Sequence, residues 1–438
     1  MQKIVIDNFR QIKHAEIEVK DFLLFIGEQA SGKSTIAKLI YFFKSLKRDY
    51  QDIVSNPNEI IHEALIHQIQ DKFAMYFGYA SKLDKEMKIT YYYDVNSDAY
   101  LKLGKANALY IKFEEKFWES LLQEGKALRK SIVKSEKMKM SSRFVSQKFD
   151  DSRKQTLEKK VNKLFHDAKE CLFIPAGRNI TVSYPEQFQL LFFGELKYPS
   201  MQMKEINTID INLIKTFVSY SKFLADYFAS PREDDTAFGE VLTNIIHQIL
   251  HGDYKNENGQ EKIIFSDKEY VPLNVASSGQ QESIRLIQDA IYIYQEQIEA
   301  SRIIEEPEAH LFPRAQQIMI ELLLLVANKT QSQIILTTHS PHVLAEFNNL
   351  LYCTKVLKEH PEKKTEIEHL FGVSPLDPSK RELLSLDPSK FQAYSLHVGD
   401  DPYCKSILDE NTCLIGENTI DQSSEKINDD FDNLYQMM

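Results

Sequence analysis

Residues 26 to 35 read Ile-Gly-Glu-Gln-Ala-Ser-Gly-Lys-Ser-Thr and follow directly on the apolar run Phe22 to Ile26. An apolar strand, a glycine-bearing loop and a helix start, in that order, form a cradle for the phosphates of a nucleoside triphosphate. Gly27 and Gly32 let the backbone wrap close to an anion. The loop N–H groups and the helix N-terminus bring partial positive charge, and Lys33 adds a full one. Glu28, Gln29, Ala30 and Ser31 make up the rest of the loop, and Ser34 is placed to hold Mg²⁺. The pattern predicts binding of ATP or GTP and commits the chain to an α/β core. A chance Gly-Lys-Ser in an ordinary loop would lack the flanking strand and helix.

With 438 residues, 43% of them hydrophobic, the chain is long enough for one large domain with an insertion or for two compact lobes. A formal charge of −11 excludes a surface that is basic throughout, so any nucleic-acid contact must be local. Cys171, Cys353, Cys404 and Cys413 form no C-x-x-C pair and the chain opens without a signal-like segment, which fits a reducing cytoplasm and no structural zinc. The longest apolar stretch, Ile318 to Ala327, is too short to cross a bilayer and reads as a buried helix.

Alternation predicts strands over Lys3 to Ile6, Ala15 to Val19 and Phe22 to Ile26, then a helix from Ser34 to Leu46. A helix over 57–83 and strands at Lys88 to Tyr93 and Ala108 to Phe113 follow, with turn residues at Val95 to Asp98. From Glu114 to Glu170 the pattern is helical, and between Lys126 and Lys163 it is strongly basic, which suits either a solvated hairpin or a surface for DNA or a partner. Cys171 to Ile174 reads as a buried strand ended by Pro175, Gly177 and an exposed Arg178. Helices fill 209–251, and Lys262 to Phe265 and Tyr270 to Val275 make a hairpin. Helix Gln280 to Ala300, strand Arg302 to Glu305, helix Pro313 to Asn328 and strand Gln333 to Thr337 give a βαβ rhythm and a partly parallel sheet.

Strand Ile303-Ile304 runs into Glu305-Glu306-Pro307-Glu308-Ala309-His310, two adjacent carboxylates at the strand end where doubly wound sheets bind ligands. Glu305 can serve the Mg²⁺ shell while Glu306 orients or deprotonates the water that attacks a γ-phosphate. Leu336-Thr337-Thr338-His339-Ser340 ends another strand and sets His339 to sense that phosphate. Ala276-Ser277-Ser278-Gly279-Gln280-Gln281 offers small and polar residues at a helix start. Alone it is an ordinary serine-capped helix.

Taken in order, the phosphate loop, Ala-Ser-Ser-Gly-Gln-Gln, Ile-Ile-Glu-Glu-Pro-Glu-Ala-His-Leu and Thr-Thr-His-Ser resemble the ABC-type ATPase heads of the SMC, RecF and OLD group, as does the opening Ile-Asp-Asn-Phe-Arg with Phe9 and Arg10. The resemblance covers residues 1–45 and 260–345. It implies a P-loop α/β head with a mixed or parallel sheet, a β-rich N-terminal part and a short helical insertion. It also implies two heads sandwiching two ATP molecules, with Ser277 and Gly279 acting in trans and Ser278 and Gln280 beside them. Gly27, Gly32, Lys33, Ser34 and Thr35 would hold phosphates and Mg²⁺, Glu305 the metal, Glu306 the base and His339 the switch. Arg178 resembles an arginine that related defence ATPases place near the nucleotide.

Glu305 stands where the group has aspartate, and Ser278 where glycine is common. The segment between Lys33 and Ser277 is too short for SMC arms, hinge or zinc hook, and too long for a transporter's ATPase subunit. Asp400, Asp401, Asp409 and Glu410 are scattered in loops, so no nuclease site is expected. The repeated Leu-Asp-Pro-Ser-Lys at Leu376 and Leu386 reads as two turns, and Asp429 to Asp432 with Leu434 and Tyr435 as a capped docking helix. The implied organisation is an N-terminal ATPase lobe over 1–113, a basic helical insertion over 114–170, a C-terminal lobe over 171–345 and a partner-docking extension over 346–438. The resemblance points to the ATPase subunit of an anti-phage system of the Septu, retron-associated or PARIS type. Such a subunit forms a homodimer or higher homo-oligomer and acts with a separately encoded effector nuclease or toxin. The alternative is a RecF-like DNA-repair or DNA-loading ATPase.

Overall fold

The computed structural model of the protein describes residues 1–78, 83–105, 108–141, 147–183, 209–229, 237–257, 259–363, 366, 386–399, 402–409, 411–418, 420, 428–429, 431–433 and 435. Strands β1 (Gln2–Phe9), β2 (Ile12–Val19) and β3 (Phe22–Gly27) lead into helix α1 (Lys33–Ser55). Helix α2 (Ile61–Phe77) and strands β4 (Lys88–Asp94), β5 (Ala99–Lys105) and β6 (Leu109–Phe113) follow. Next come α3 (Glu115–Ser141), α4 (Gln147–Leu164), β7 (Glu170–Ile174), the short α5 (Ile180–Ser183), α6 (Ile209–Tyr227) and α7 (Ala237–Leu250). A ribbon of β8 (Asp253–Glu257), β9 (Gln260–Ser266) and β10 (Glu269–Pro272) precedes α8 (Ser278–Gln295). The chain continues through β11 (Ala300–Glu305), α9 (Pro313–Thr330), β12 (Gln333–Thr337), α10 (Pro341–Glu359), β13 (Phe391–Leu396) and β14 (Cys404–Ser406).

Among the described residues the strands form three sheets: β2-β1-β4-β5-β6, β10-β9-β8 and the central β14-β13-β3-β12-β11-β7. The first two are antiparallel, whereas the central sheet is parallel from β13 to β7 with β14 antiparallel at its edge. Every residue of β3 is buried, as a central parallel strand covered on both faces requires. Because side chains alternate along a strand, Leu23 and Phe25 enter one core with α1, α2 and the N-terminal sheet. Phe22, Leu24 and Ile26 enter the other with α8, α9 and α10. The apolar stretch Ile318 to Ala327 lies wholly buried within α9. No helix among the described residues is long and apolar enough to cross a membrane.

The differences from the sequence reading have local causes. Helix α1 runs on from Leu46 to Ser55 because its buried stripe continues through Tyr50, Ile53 and Val54. Helix α2 ends at Phe77 because Gly78 takes φ 93°, and residues 79–82 lie outside the described set. Strands β5 and β8, unforeseen, complete the two antiparallel sheets, β5 by burying Ala99, Leu101 and Leu103. The strand expected to reach Val275 stops at Pro272, and Leu273–Val275 forms a 3₁₀ turn. Helix α8 ends at Gln295 rather than Ala300, because Ala300 already pairs with Glu170 as the first residue of β11.

Part of the segment set apart as a docking extension belongs to the central sheet: β13 runs parallel to β3, Leu396 opposite Gly27. The second Leu-Asp-Pro-Ser-Lys turn forms at Pro388–Lys390, capped by Asp387, and Leu376 lies outside the described residues. So do Asp400, Asp401, Glu410, Asp430 and Leu434, while Asp409 accepts hydrogen bonds from the Asn411 and Thr412 amides of its own turn.

Candidate functional site

The phosphate loop sits between the end of β3 and the start of α1. Gly27 at φ 142° and Gly32 at φ 95° take backbone angles that side-chain-bearing residues rarely adopt. A Cβ on Gly27 would also stand 2.5 Å from the Leu396 carbonyl oxygen. Lys33 is buried and folds back over its own loop, its Nζ donating to the carbonyls of Gly27 and Glu28, both at 2.8 Å. Its burial pushes the ammonium down to about 8, against the opposing pull of Glu306 and Glu308. Glu28, Gln29 and Ala30 are exposed at the loop tip, Ser31 and Thr35 are buried, and Ser34 is half-buried in the first turn of α1.

Glu305 ends β11 and Glu306 begins the turn beyond it with φ 45°, a left-handed conformation that a glutamate holds only when its surroundings enforce it. The Glu306 N–H donates to the Thr337 carbonyl of β12 at 2.9 Å, and its side-chain Oε1 lies 3.9 Å from His339 Nε2. His339 is held below the ordinary histidine value by burial and by Lys33, with Glu306 opposing. Glu308 joins the two strand ends. One of its carboxylate oxygens accepts from the Thr338 hydroxyl and the His339 amide, and its burial raises its pKa. Sequence reasoning gave Glu308 no role, although it lies within the quoted acidic motif.

Arg178 requires a correction. Expected at an exposed turn, it is fully buried. Its guanidinium donates to the carbonyls of Pro175 at 3.1 Å, Glu305 at 2.6 Å, Glu306 at 2.9 Å and Glu282 at 3.2 Å. The Glu282 carboxylate lies 3.4 Å from Nε. Arg178 thus clamps the backbone of the acid pair, and each of its guanidinium nitrogens is occupied by protein.

Ser277 caps α8 in a reciprocal box with Gln280, whose amide also donates to the Leu250 carbonyl at 2.7 Å. Ser277 and Ser278 are exposed, and Gly279 lies so close to His310 that a Cβ would stand 2.7 Å from its carbonyl oxygen. No hydrogen bond or ion pair joins Ser277–Gln280 to the phosphate loop of the same chain among the described residues. Among the described residues no hydrogen bond joins Arg10 to the loop: its guanidinium lies 5.6 Å from the ring centres of Phe9 and Phe77, while the next residue, Gln11, comes up against Gly32. Lys38, one turn after Ser34, pairs with Asp210 of α6 and lies 3.8 Å from Glu305 Oε1.

The donor set fits a magnesium nucleotide. Glu305 Oε1 is buried without a hydrogen-bond partner, as a carboxylate oxygen reserved for a cation would be. The loop offers backbone N–H groups and a lysine to phosphate oxygens. Residues 1–344 match the model of the AAA ATPase domain family. The chain belongs to this family. No curated protein matches it. Among solved structures, the SMC head bound to the C-terminal winged-helix domain of ScpA is 12% identical at TM-score 0.38, covering 78% of this chain and 90% of its own. The SMC head domain from Thermotoga maritima is 13% identical at TM-score 0.34, covering 78% and 90%.

The depressed lysine of this AAA ATPase domain has a measurable consequence. A di- or triphosphate held against Lys33 would favour the charged form, so above about pH 8 its binding would take up a proton. The ADP affinity is therefore expected to be flat from pH 6.5 to 7.5 and to fall above pH 8, approaching about tenfold per pH unit. Titration calorimetry across pH 6.5 to 9.5 checks this. Lys33→Arg should remove the dependence, and a wild-type affinity unchanged at pH 9.5 would refute it.

Proposed function

We propose that the chain binds ATP with Mg²⁺ and hydrolyses it to ADP and phosphate, two copies closing around two nucleotides. Gly27 to Thr35 hold the phosphates, with Glu28, Gln29, Ala30 and Ser31 forming the loop and Lys33 neutralising charge. Ser34 and Glu305 would hold Mg²⁺, which when bound offsets the charge of the phosphate oxygens. Glu306 takes a proton from water as the water oxygen bonds to the γ-phosphorus, and the bond to the β-phosphate oxygen breaks to release ADP. His339, beside Glu306, reports the γ-phosphate to the strand end.

The observation that carries the two-copy reading is the exposed, capped start of α8, which among the described residues makes no hydrogen bond to its own phosphate loop. Ser277, Ser278, Gly279 and Gln280 then present a helix N-terminus to the nucleotide of another copy. Arg10 and Arg178 belong to this proposal differently: Arg10 flanks the nucleotide, whereas Arg178 supports Glu305 and Glu306 from behind.

For the setting we propose a cytoplasmic anti-phage defence complex in which ATP-driven closure controls a separately encoded effector nuclease or toxin. What supports it is the ordered motif set and the short helical insertion. A second reading, a RecF-like DNA-repair or DNA-loading ATPase, is favoured by exposed Lys126, Lys130, Lys154, Lys159 and Lys163 on α3 and α4. Arg129 does not count among them, since it donates to the carbonyls of Ile53, Val54 and Glu59. Tagged protein carrying Glu306→Gln, expressed with its native gene neighbours and purified with ATP, separates the two. A stoichiometric nuclease or toxin supports the defence reading. Recovery of the ATPase alone or with duplex DNA, bound in a salt-sensitive way and released on neutralising those lysines, supports the repair reading.

A further inference from the structure

The strands β13 and β14 do more than extend the central sheet. Tyr403, immediately before β14, is 3% exposed, and its hydroxyl donates to the carbonyl of Ser31 inside the phosphate loop. A Cβ on Gly32 would stand 2.5 Å from that hydroxyl oxygen, so any side chain at Gly32 would have to displace the tyrosine hydroxyl, in addition to meeting the strain of its φ of 95°. On the other side of the loop, β13 sets the Leu396 carbonyl against Gly27. The His397 amide donates to the Tyr403 carbonyl at 2.9 Å and fixes the tyrosine to the end of β13. The elements that supply these contacts, β13, His397, Tyr403 and β14, lie beyond residue 344, where the family match ends.

The loop carbonyls are thereby taken from behind: Gly27 and Glu28 by Lys33, and Ser31 by Tyr403. A loop whose carbonyls are tied back leaves its N–H groups for an anion. We infer that Tyr403 is a positioning residue for the phosphate loop, and that the β13–β14 segment thereby sets nucleotide affinity. This rests on the reading of the loop as a nucleotide site. Without the hydroxyl the buried Ser31 carbonyl is left unsatisfied, and the loop spends less time in the binding conformation. By linkage, bound nucleotide must in turn stabilise the docked segment.

The test uses the full chain, Tyr403→Phe and ADP with Mg²⁺. Calorimetry should show the variant binding ADP about five- to thirtyfold more weakly, the loss expected for one buried hydrogen bond. The Tm without nucleotide should stay within about 2 °C, since the ring is kept and a deletion of one hydroxyl perturbs little else. Hydrogen exchange at residues 404–406 should slow on adding ADP to the wild type and slow less in the variant, and the wild-type arm depends on no variant folding. Binding by Tyr403→Phe within twofold of wild type, or wild-type exchange at 404–406 indifferent to ADP, would overturn the inference alone. Failure of the wild type to bind ADP would overturn the nucleotide reading with it.

Discussion

Replacing Glu306 by glutamine is expected to lower ATP turnover by about a hundredfold or more while leaving ATP binding within a fewfold of wild type, the effect of removing a general base. The side chain stays nearly the same size, so the turn at φ 45° and the Arg178 hydrogen bond to the Glu306 carbonyl are kept. What is lost is the proton acceptor. The amide can still orient water but cannot take its proton, and the barrier to attack on the γ-phosphate rises. Because nucleotide is bound and not consumed, sizing should show a longer-lived two-copy form with ATP. Phosphate release measured under single-turnover conditions checks the first part. A variant that keeps more than about a third of wild-type turnover would remove Glu306 from the chemistry, since general bases contribute orders of magnitude. If the wild type binds ATP but releases no phosphate, the chain is a nucleotide-gated scaffold instead.

The parts of this site that rest on local backbone chemistry were legible in the sequence. A fully buried β3 followed by glycines at fixed offsets can be read from ten residues, and so can a pair of acids ending an apolar strand. What escaped was non-local. Arg178 reads as exposed because a Pro-Ala-Gly-Arg turn ordinarily faces water, yet its partners are carbonyls 127 and 128 residues away. Tyr403 and Ser31 are 372 residues apart, and nothing in the sequence around β13 announces that it pairs with β3. Glu308 was visible, but its task of holding the Thr338–His339 strand end depends on β11 and β12 lying side by side. The basic segment kept both its readings, and the structure removes Arg129 from the candidates by showing it engaged with α1 and the turn that follows.

Arg178→Met should destabilise the protein by about 3–5 kcal/mol, the cost of breaking one partner out of a buried ion pair. The guanidinium is completely buried, as is the Glu282 side chain at 2% exposure. Methionine fills much of the volume but donates nothing. Glu282 would keep a buried charge whose cation is gone, and the carbonyls of Pro175, Glu305 and Glu306 would each lose a donor. Arg178→Lys should recover part of the loss, because an ammonium restores the charge while a single nitrogen cannot span the four carbonyls. Turnover carries a separate signature. The Glu306 carbonyl is held by Arg178 and its N–H by Thr337, so releasing one end frees the strained residue to relax and moves the carboxylate off its mark. Arg178→Lys is therefore expected to lower kcat more than it weakens ATP binding, at a temperature where the variant remains folded. Urea unfolding of the three proteins measures the first effect. A methionine variant within about 1 kcal/mol of wild type would show that the clamp contributes little, and an unchanged kcat in the lysine variant would detach it from the placement of Glu306.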